Sequence, residues 1–533
     1  MHTFSLYLVF AAGLAALFSQ TVKYLRIAQR EHYIAKFTVK FAFRWYLSSS
    51  LNISLLIFSL FFLALSFFAY LWALPAAAFI VIAPFGLTWR GKTSKLKWTR
   101  RLKTTAIGAF APVLGATAAA FAVASFAVGD TILMLCAFFM PAFVDLALFL
   151  LGPFEKKLAS KYVETARTKL KKVNPVNVAI TGSYGKTSTK TYLAHMLEKN
   201  YQVLASPKSY NNKAGLARTI NEGLLFSTEV FVAEMGTFGP GEIRNMCSWV
   251  VPKIAAITAV GPVHLERFRT VENISKAKAE ITERAEVVVL NTDNPYLLRL
   301  AAELSESGKK IVTVSAQDEN TNLCIKETTH SEGGGSAVTK NWALFSGGAH
   351  LADIDASDLG EGVVPTNLAV AVAIALELNC PMENILASLR DLPQASNRLN
   401  IETLPNGTVL LDDTYNSNPA GAEFALSKLN LLAKDGGKKI LVTPGMIELG
   451  PQQKTANENF GYTAAGTATH IVFVKHTNRA SFLRGVKKYQ SESGKDVFVK
   501  TVADRKTAVA FVKEILGPGD VVLYENDLPD HYP

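Results

Sequence analysis

The stretch VNVAITGSYGKTSTKTYLAHMLEKN (176–200) decides the fold of the larger part of this chain. Its beginning, VNVAI (176–180), reads as a strand, and TGSYGKTS (181–188) reads as a glycine-containing turn. The segment TYLAHMLEKN (191–200) then reads as a helix. A strand, a turn and a helix in this order predict one unit of a parallel α/β sheet.

The turn is the strongest chemical signal in the sequence. Its glycines permit backbone amides to wrap a phosphate, and the following helix points the positive end of its dipole at that phosphate. The lysine supplies a cation to the outer phosphates and the threonine supplies a hydroxyl for Mg²⁺. An ordinary strand-to-helix turn is the alternative interpretation, because only two residues separate the glycines. We predict that ATP phosphates are bound by Gly182, Ser183, Gly185, Lys186, Thr187 and Ser188.

The strands that follow extend the same pattern. EVFVAEMG (229–236), KIAAITAV (253–260) and AEVVVLNTDN (285–294) are apolar runs with helical segments between them. Strands that alternate with helices predict a parallel sheet, whose ligands lie at the carboxyl ends of the strands. Glu234 and His264 follow two of these strands, so both are placed to face a ligand there.

Net charge separates this α/β part from the residues before it. The chain has 55 Lys and Arg against 44 Asp and Glu, and residues 1–157 contain 15 and 4 of these, so the whole excess of +11 lies in the first third. With 49% hydrophobic and 19% charged residues, a disordered chain is excluded. The four cysteines show neither a disulfide framework nor metal-ligand spacing.

The first third reads as a helical membrane domain of about five spans. Two long apolar regions exceed what one helix needs to cross ~30 Å of hydrocarbon, so each predicts a helical hairpin. The first hairpin is expected to turn at Leu74-Pro75 and the second at Gly129-Asp130. The predicted spans therefore lie in residues 4–20, 51–87 (two spans), 104–128 and 131–151.

Basic residues predict how these spans are oriented. They cluster between residues 23 and 44, between 90 and 103, and at 156–157, whereas the two hairpin turns carry none. The positive-inside rule then places the N-terminus outside and the domains after residue 158 in the cytoplasm of a multi-pass cell-membrane protein. Because the basic loops lie between spans, we expect anionic lipid rather than nucleic acid as their partner. Asp145, inside the last span, is either a functional acid or a residue bonded to a neighbouring helix.

The phosphate loop resembles that of the Mur ligases, ATP-dependent enzymes that form amide bonds in peptidoglycan precursor synthesis. The resemblance extends over about residues 175–533, and GMIELG (445–450) resembles the family members that add D-alanyl-D-alanine. The other similar blocks, in chain order, are YNNKAG (210–215), VAEMGTFGPGEI (232–243), HLERF (264–268), ISKAKAEI (274–281), NTDN (291–294), SNRLN (396–400) and LLDDTYNSNPAGA (410–422).

This resemblance implies a catalytic set that complements the chemistry of the loop. A carboxylate is a poor electrophile, and transfer of the γ-phosphate of ATP converts it into an acyl phosphate. The family implies one Mg²⁺ held by Thr187 and Glu234, and a second held by His264 and Lys278. Lys278, rather than Lys276, is expected to be carbamoylated, which turns a cation into a carboxylate-like ligand. Lys186, Glu234, His264 and Lys278 are the predicted catalytic group.

The remaining contacts to ATP are less complete. Asn367 matches the first asparagine of the family's adenine-contacting helix, but Thr366 and Val370 replace its histidine and second asparagine. Arg398 is expected to bridge phosphate oxygens and Asp413 to accept hydrogen bonds from ribose hydroxyls. An ordinary salt bridge between domains is the alternative for this last pair.

The resemblance favours a ligase that joins D-alanyl-D-alanine, or another amino acid or dipeptide amine, to a muramoyl-peptide. It departs from the family in two places, because membrane spans replace the usual UDP-sugar domain and GDVVLYENDLPDHYP (519–533) replaces a Lys-Gly-Ser-Arg end. We therefore expect a membrane-associated, lipid-linked acceptor. The alternatives are a Mur-like ligase acting on another carboxylate, as in poly-γ-glutamate synthesis, and a transporter with a nucleotide-regulated domain.

The same blocks predict the division of the chain. A transmembrane domain (1–155) precedes a basic amphipathic linker along the membrane surface (156–174). A central ATP-binding domain (175–392) with a short β-rich insertion is followed by a Rossmann-like α/β domain (393–533).

Overall fold

The structure is a computed structural model, which describes residues 2–31, 33–89, 96–123, 126–207, 210–331, 338–355, 359, 363–393, 399–414, 418–434 and 436–528. It contains two compact units, one built mainly from residues 1–158 and the other mainly from residues 159–474 and 478–527.

The N-terminal unit is helical, as predicted, but five spans are not confirmed. Two helices, Phe4–Arg30 and Arg100–Val123, are long and apolar enough to cross a bilayer unbroken. Two further candidates are pairs of helices bent by 109° and 69°, so the described residues allow two spans, or four if each bent pair is one. The helices are α1 (His2–Arg30), α2 (Phe37–Tyr46), α3 (Ser50–Ser66), α4 (Ala73–Ile82), α5 (Arg100–Val123), α6 (Phe126–Phe138) and α7 (Met140–Val173).

Both predicted hairpin turns are misplaced. Pro75 is the third residue of α4, where its missing N–H would have no helical partner in any case, so it does not end a helix. The break lies before α4 and leaves that helix only 10 residues, about 15 Å, which is half a bilayer core. Asp130 lies inside α6, and the second break falls between α6 and α7.

Lys23 was predicted to lie in a loop and Asp145 to be a candidate functional acid, but both side chains are bonded to the ends of neighbouring helices. Lys23 lies within α1 with 2% of its surface exposed, and its Nζ donates to the carbonyls of Val81 (2.9 Å) and Ala83 (2.8 Å). It therefore bonds the carbonyl end of α4 and is not a loop charge. Asp145 accepts hydrogen bonds from the backbone N–H groups of Thr38 (3.3 Å) and Val39 (3.0 Å) at the start of α2. The carboxylate thereby caps that helix.

The second unit begins with the predicted parallel sheet. Its nine strands have the order β2-β3-β1-β4-β5-β6-β7-β8-β9, and neighbours are parallel from β2 to β7 and antiparallel from β7 to β9. The predicted β-rich insertion is therefore an extension of this sheet. Its strands are β1 (Val176–Thr181), β2 (Val203–Ala205), β3 (Val230–Glu234), β4 (Ile254–Ile257), β5 (Val287–Asn291), β6 (Lys310–Ser315), β7 (Leu323–Ser331), β8 (Val338–Ser346) and β9 (Ala349–Asp355).

Helices cover both faces of this sheet, because successive strand side chains point to opposite sides. Val178 and Ile180 of β1 pack with one group of helices, whereas Ala179 packs with the other. The first face is covered by α8 (Lys186–Leu197), α14 (Pro365–Glu377) and α15 (Met382–Leu389). The second face is covered by the end of α7 with α9 (Lys213–Gly223), α10 (Glu242–Cys247), α11 (Leu265–Phe268), α12 (Val271–Ala279) and α13 (Pro295–Leu304).

The predicted membrane-surface linker is the C-terminal half of α7. Its inward positions, Val163, Ala166 and Leu170, are buried in the core on the second face of the sheet. The apolar side of this helix is therefore covered by protein, and its basic side chains occupy the other positions.

A second, six-stranded α/β sheet forms the C-terminal domain, as predicted. Its strand order is β10-β11-β15-β12-β13-β14, and only the edge pair β10–β11 is antiparallel. The elements are β10 (Asn400–Thr403), β11 (Val409–Asp413), α16 (Pro419–Leu431), β12 (Lys439–Thr443), α17 (Gln453–Thr467), β13 (His470–Val474), α18 (Arg479–Ser493), β14 (Phe498–Val502), α19 (Arg505–Ile515) and β15 (Val521–Glu525).

Candidate active site

The phosphate loop depends on close approach at two glycines. Gly185 precedes α8 with φ +80°, and a Cβ there would lie 2.1 Å from Asn367 Oδ1. A Cβ on Gly182 would lie 2.0 Å from Thr258 Oγ1. Neither position can hold a side chain without displacing a neighbour. Lys186 is the first residue of α8, and its Nζ donates to the Gly182 carbonyl at 2.6 Å, so the cation lies within the loop.

The residues after β4 hold this loop in place. Ser183 N donates to the Ala259 carbonyl at 2.7 Å, and the Ser183 hydroxyl donates to the Gly261 carbonyl at 3.1 Å. The same hydroxyl accepts a hydrogen bond from Gly261 N at 3.0 Å. Ser188 is buried within α8. The loop is thus bonded to the neighbouring strand end.

Glu234 lies beneath the loop at the end of β3, with 1% of its surface exposed. Its Oε2 accepts hydrogen bonds from Thr187 Oγ1 and from Lys190 Nζ, both at 3.0 Å. Its Oε1 accepts one from Asn211 Nδ2, also at 3.0 Å. The structure therefore brings the two predicted ligands of the first Mg²⁺ together.

Electrostatics keep this buried carboxylate charged. Burial alone would raise the pKa of Glu234, but the positive charges of Lys190 and Lys186 oppose it. With the hydrogen bond from Asn211, they hold that pKa below its usual value. An ionised carboxylate beside a hydroxyl is a set of hard oxygen donors, so these side chains fit Mg²⁺.

Burial distinguishes the two candidate lysines of α12. Lys276 is exposed, whereas Lys278 keeps only 4% of its surface exposed. Burial lowers the pKa of Lys278 well below its usual value, and the positive charge of Lys186 lowers it further. The lowered pKa favours the neutral amine of Lys278, which is the form that can react with carbon dioxide. It also lies within electrostatic range of the phosphate loop.

His264 contacts the C-terminal domain. It follows β4 in the left-handed conformation (φ +52°), and its Nδ1 is hydrogen-bonded to the carboxylate of Glu448, which is also left-handed (φ +63°). The Phe238 ring lies edge-on to the imidazole, with the two ring centroids 4.8 Å apart. The Arg267 guanidinium lies over the face of the Phe238 ring. The HLERF and GMIELG segments, 184 residues apart at this pair, thus meet.

Three nucleotide contacts were predicted in later segments, at Asn367, Arg398 and Asp413. Asn367 lies against Gly185, and its carbonyl accepts from Thr189 Oγ1 at 3.2 Å, so this residue is part of the loop's surroundings. Val370 is fully buried in the core, where it contributes nothing to nucleotide recognition. Asp413 is buried at the end of β11 in the second sheet. Arg398 lies outside the described residues.

The second metal site is less complete than the first. Within the described ranges, no three His, Cys, Asp or Glu side chains gather closely enough to hold a metal. A free amine lacks the oxygen donors that Mg²⁺ prefers, so Lys278 would serve as a ligand only as a carbamate.

Lys190 and Glu448 were not predicted as site residues. Lys190 follows Lys186 by four residues and Thr187 by three, which places the three side chains on one face of α8. That spacing could have identified Lys190 as a partner for an acid near the loop. Glu448 was quoted only within its motif, and nothing in the local sequence indicated its contact with His264.

Comparisons with known proteins identify the two domains. The model described as "Mur ligase middle domain" matches residues 180–375, and the one described as "Mur ligase, glutamate ligase domain" matches residues 397–524. The UDP-N-acetylmuramoyl-tripeptide–D-alanyl-D-alanine ligase of Mycobacterium tuberculosis is 29% identical over 363 residues, which cover 65% of this chain and 69% of that enzyme. The enzyme of the same name from Bacillus subtilis is 24% identical over 380 residues, covering 69% and 75%.

A solved structure shares the fold. The crystal structure of the MurF ligase from Thermotoga maritima in complex with ADP has a TM-score of 0.58 and 23% identity to this chain. The match covers 69% of this chain and 80% of that one.

Proposed function

We propose that this chain, which belongs to the Mur ligase family through its middle (180–375) and C-terminal (397–524) domains, is an ATP-dependent amide-bond-forming ligase. Its proposed reaction joins D-alanyl-D-alanine to the peptide carboxylate of a muramoyl tripeptide in peptidoglycan synthesis. The observation that carries this proposal is the phosphate loop above an ionised, buried Glu234, in a chain whose curated relatives are named for that reaction.

The reaction has two steps. An oxygen of the acceptor carboxylate attacks the γ-phosphorus of ATP, and the bond to the bridging oxygen of ADP breaks. The amine nitrogen of the dipeptide then attacks the carbonyl carbon of the acyl phosphate, which expels inorganic phosphate as the nitrogen loses a proton. Lys186 and the amide groups at the start of α8 supply positive charge to the phosphates in the first step.

Thr187 and Glu234 would hold one Mg²⁺, and His264 with carbamoylated Lys278 would hold the second. Bound Mg²⁺ neutralises phosphate charge in such transfers. The low pKa of Lys278 supports its carbamoylation, because only the neutral amine reacts. Glu448 orients the imidazole of His264 from the C-terminal domain.

The helical N-terminal unit would place this ligase in the cell membrane, with its catalytic domains in the cytoplasm. Two unbroken apolar helices and two bent pairs support membrane insertion. Neither family model matches residues before 180, so the segment in which the family usually holds a UDP-sugar is here apolar and helical. A lipid-linked acceptor is therefore the second candidate substrate.

Phosphate release by the full-length protein in lipid nanodiscs tests the reaction. We expect release from ATP only when a muramoyl-tripeptide acceptor and D-alanyl-D-alanine are both present, with the pentapeptide product detected by mass spectrometry. Lys186→Ala should abolish release, whereas Lys199→Ala, which changes an exposed lysine just beyond the same helix, should not. ATP binding without amine-dependent release would instead favour the nucleotide-regulated transporter.

Parallel assays with UDP-linked and lipid-linked acceptors identify the carrier. Preference for the lipid-linked tripeptide supports the second candidate, and preference for the UDP-linked form excludes it. Release driven by glutamate in place of the dipeptide would favour the poly-γ-glutamate type of ligase.

A further inference from the structure

An apolar turn projects from the catalytic unit between α9 and β3. Leu224 is buried in the core, but Leu225 and Phe226 are 65% and 85% exposed. The turn is well ordered, because Leu225 N donates to Thr228 Oγ1 at 3.1 Å and Thr228 N donates to the Leu225 carbonyl at 3.1 Å. The hydrogen-bonded turn therefore exposes the side chains of Leu225 and Phe226 to solvent.

This turn is fastened to the basic half of α7. Asn221, in the last turn of α9, donates through Nδ2 to the Tyr162 carbonyl at 3.0 Å. Its own carbonyl accepts a hydrogen bond from Lys169 Nζ at 3.0 Å. Tyr162 is 43% exposed. An aromatic side chain and a basic helix therefore accompany the exposed turn, and we call Tyr162, Leu225 and Phe226 the apolar patch.

The basic half of α7 is mostly positive, whereas two exposed acids, Glu222 and Glu229, flank the turn itself. Residues 157–173 contain six basic residues and one acid, Glu164, which lies 3.7 Å from Arg167. The inward apolar positions of this helix are occupied by the protein core, so they are not available to lipid. Apart from the two acids of the turn, this region presents the apolar patch and the basic side chains of α7 to solvent.

The composition of the patch selects its occupant. Exposed Leu, Phe and Tyr beside lysines match the side chains that sit in the headgroup region of a bilayer, where apolar groups enter the acyl boundary and cations meet anionic lipid. Tyr162 follows Leu151, the end of the apolar run of α7, by only eleven residues. Three side chains are far too few for a stable protein interface, which buries about 800 Å² on each partner.

We propose that the apolar patch and the basic half of α7 form a docking surface through which the catalytic unit rests on an anionic lipid bilayer. The proposal depends on the membrane insertion of the N-terminal unit stated above, and adds a second, peripheral contact made by the ligase domain itself. Such a contact would fix which side of the ligase domain faces a lipid-linked substrate.

Site-specific fluorescence on the full-length protein tests this surface. All four native cysteines are buried, so a new surface cysteine can be labelled selectively with an environment-sensitive nitrobenzofurazan probe. Leu225→Cys reports on the patch, and Leu431→Cys is the matched control, because Leu431 is 63% exposed at the end of α16 in the C-terminal domain. Both labelled variants are reconstituted in nanodiscs of phosphatidylcholine with or without phosphatidylglycerol.

We expect a blue shift and quenching by nitroxide-labelled lipid at position 225 but not at 431, both stronger with phosphatidylglycerol and weakened by Phe226→Ser. If the chain enters nanodiscs and the probe at 225 is quenched only by aqueous iodide, as at 431, the docking surface is wrong while membrane insertion stands. A blue shift at 225 that depends on protein concentration and not on lipid quencher would assign the patch to a second copy, and would also overturn the proposal. Failure of the chain to enter nanodiscs overturns both.

Discussion

Replacing Lys190 with Met tests the buried ion pair on which the charge of Glu234 depends. The two side chains are 5% and 1% exposed, and Lys190 Nζ lies 3.0 Å from Glu234 Oε2. Removing the ammonium leaves a buried carboxylate whose remaining hydrogen-bond donors, Thr187 and Asn211, are neutral, with Lys186 as the remaining cation that lowers its pKa. Breaking a buried pair by removing one partner costs about 3–5 kcal/mol, because the other charge stays uncompensated.

This cost translates into a large change in melting temperature. In a domain of 150–250 residues, 1 kcal/mol lowers Tm by about 2–4 °C, so Lys190→Met should melt roughly 6–20 °C lower. Calorimetry of the full-length protein in detergent measures the transition of the catalytic unit. Lys199→Met, which changes an exposed lysine two residues beyond the end of the helix that carries Lys190, is the matched control and should leave Tm unchanged.

The double variant Lys190→Met/Glu234→Gln separates charge from packing. It buries no uncompensated charge, so it should recover most of the lost stability, and the Gln carbonyl can still accept from Asn211. Mg²⁺ should raise the Tm of Lys190→Met more than that of the unchanged protein, since a divalent cation at Glu234 replaces the missing positive charge. An unchanged Tm in the single variant, or additive losses in the double variant, would refute this account of the ion pair.

Three further perturbations address the His264 contact, the C-terminal sheet and the loop. Glu448→Gln should raise the KM for Mg²⁺ about 10–100-fold at unchanged KM for ATP, because it weakens the group that orients His264; equal changes in both constants would contradict this role. Burial raises the pKa of Glu525 to about 8 against an ordinary 4.5, so the folded state retains a proton that the unfolded chain releases. Stability should therefore fall by about 1.4 kcal/mol per pH unit as pH rises between these values, and Tm measured against pH should lose this slope in Glu525→Gln. Gly185→Ala should weaken ADP binding measured by calorimetry, because a left-handed alanine costs about 1–2 kcal/mol and its Cβ overlaps Asn367. Adding Asn367→Ala to this variant should remove the overlap but not the backbone cost.

The nucleotide-binding fold was predictable because its signals are local. The run VNVAI lies within β1 (Val176–Thr181), and the helix expected after the turn is α8 (Lys186–Leu197). Alternating strands and helices determine the sheet type through chain connectivity, so a parallel sheet followed from the pattern. The strand order, in which β1 lies between β3 and β4, did not. The ends of those strands meet at one edge, which is why Glu234 was found without any contact information.

The helix breaks of the N-terminal unit were not predictable from the same kind of signal. Pro75 suggested a turn, yet proline is compatible with the first turn of a helix. Asp130 and Lys23 suggested loops by their charge, but both are buried within helices. In each case tertiary packing decides where a helix ends, and hydropathy depends on composition alone.

The two missed residues show the same limit at the site. Glu448 reaches His264 across 184 residues and Lys190 reaches Glu234 across 44, so both contacts exist only after the strands and domains assemble. A motif identifies the residues near a ligand, whereas their partners depend on the fold.

The packing of α7 argues that the C-terminal half of this helix is part of the nucleotide-binding fold rather than a tether. Val163, Ala166 and Leu170 fill the core on one face of the nucleotide-binding sheet, and the helix that carries them ends three residues before β1. Burying an aliphatic side chain of valine or leucine size contributes about 1.5–3 kcal/mol. A soluble ligase that begins at residue 175 should therefore lose several kcal/mol and aggregate, because it exposes Leu216 and Ile220 of the same core. One that begins at residue 159 should remain folded, and comparing the melting and solubility of the two proteins measures this difference. Equal stability of both would mean that α7 is a dispensable tether after all.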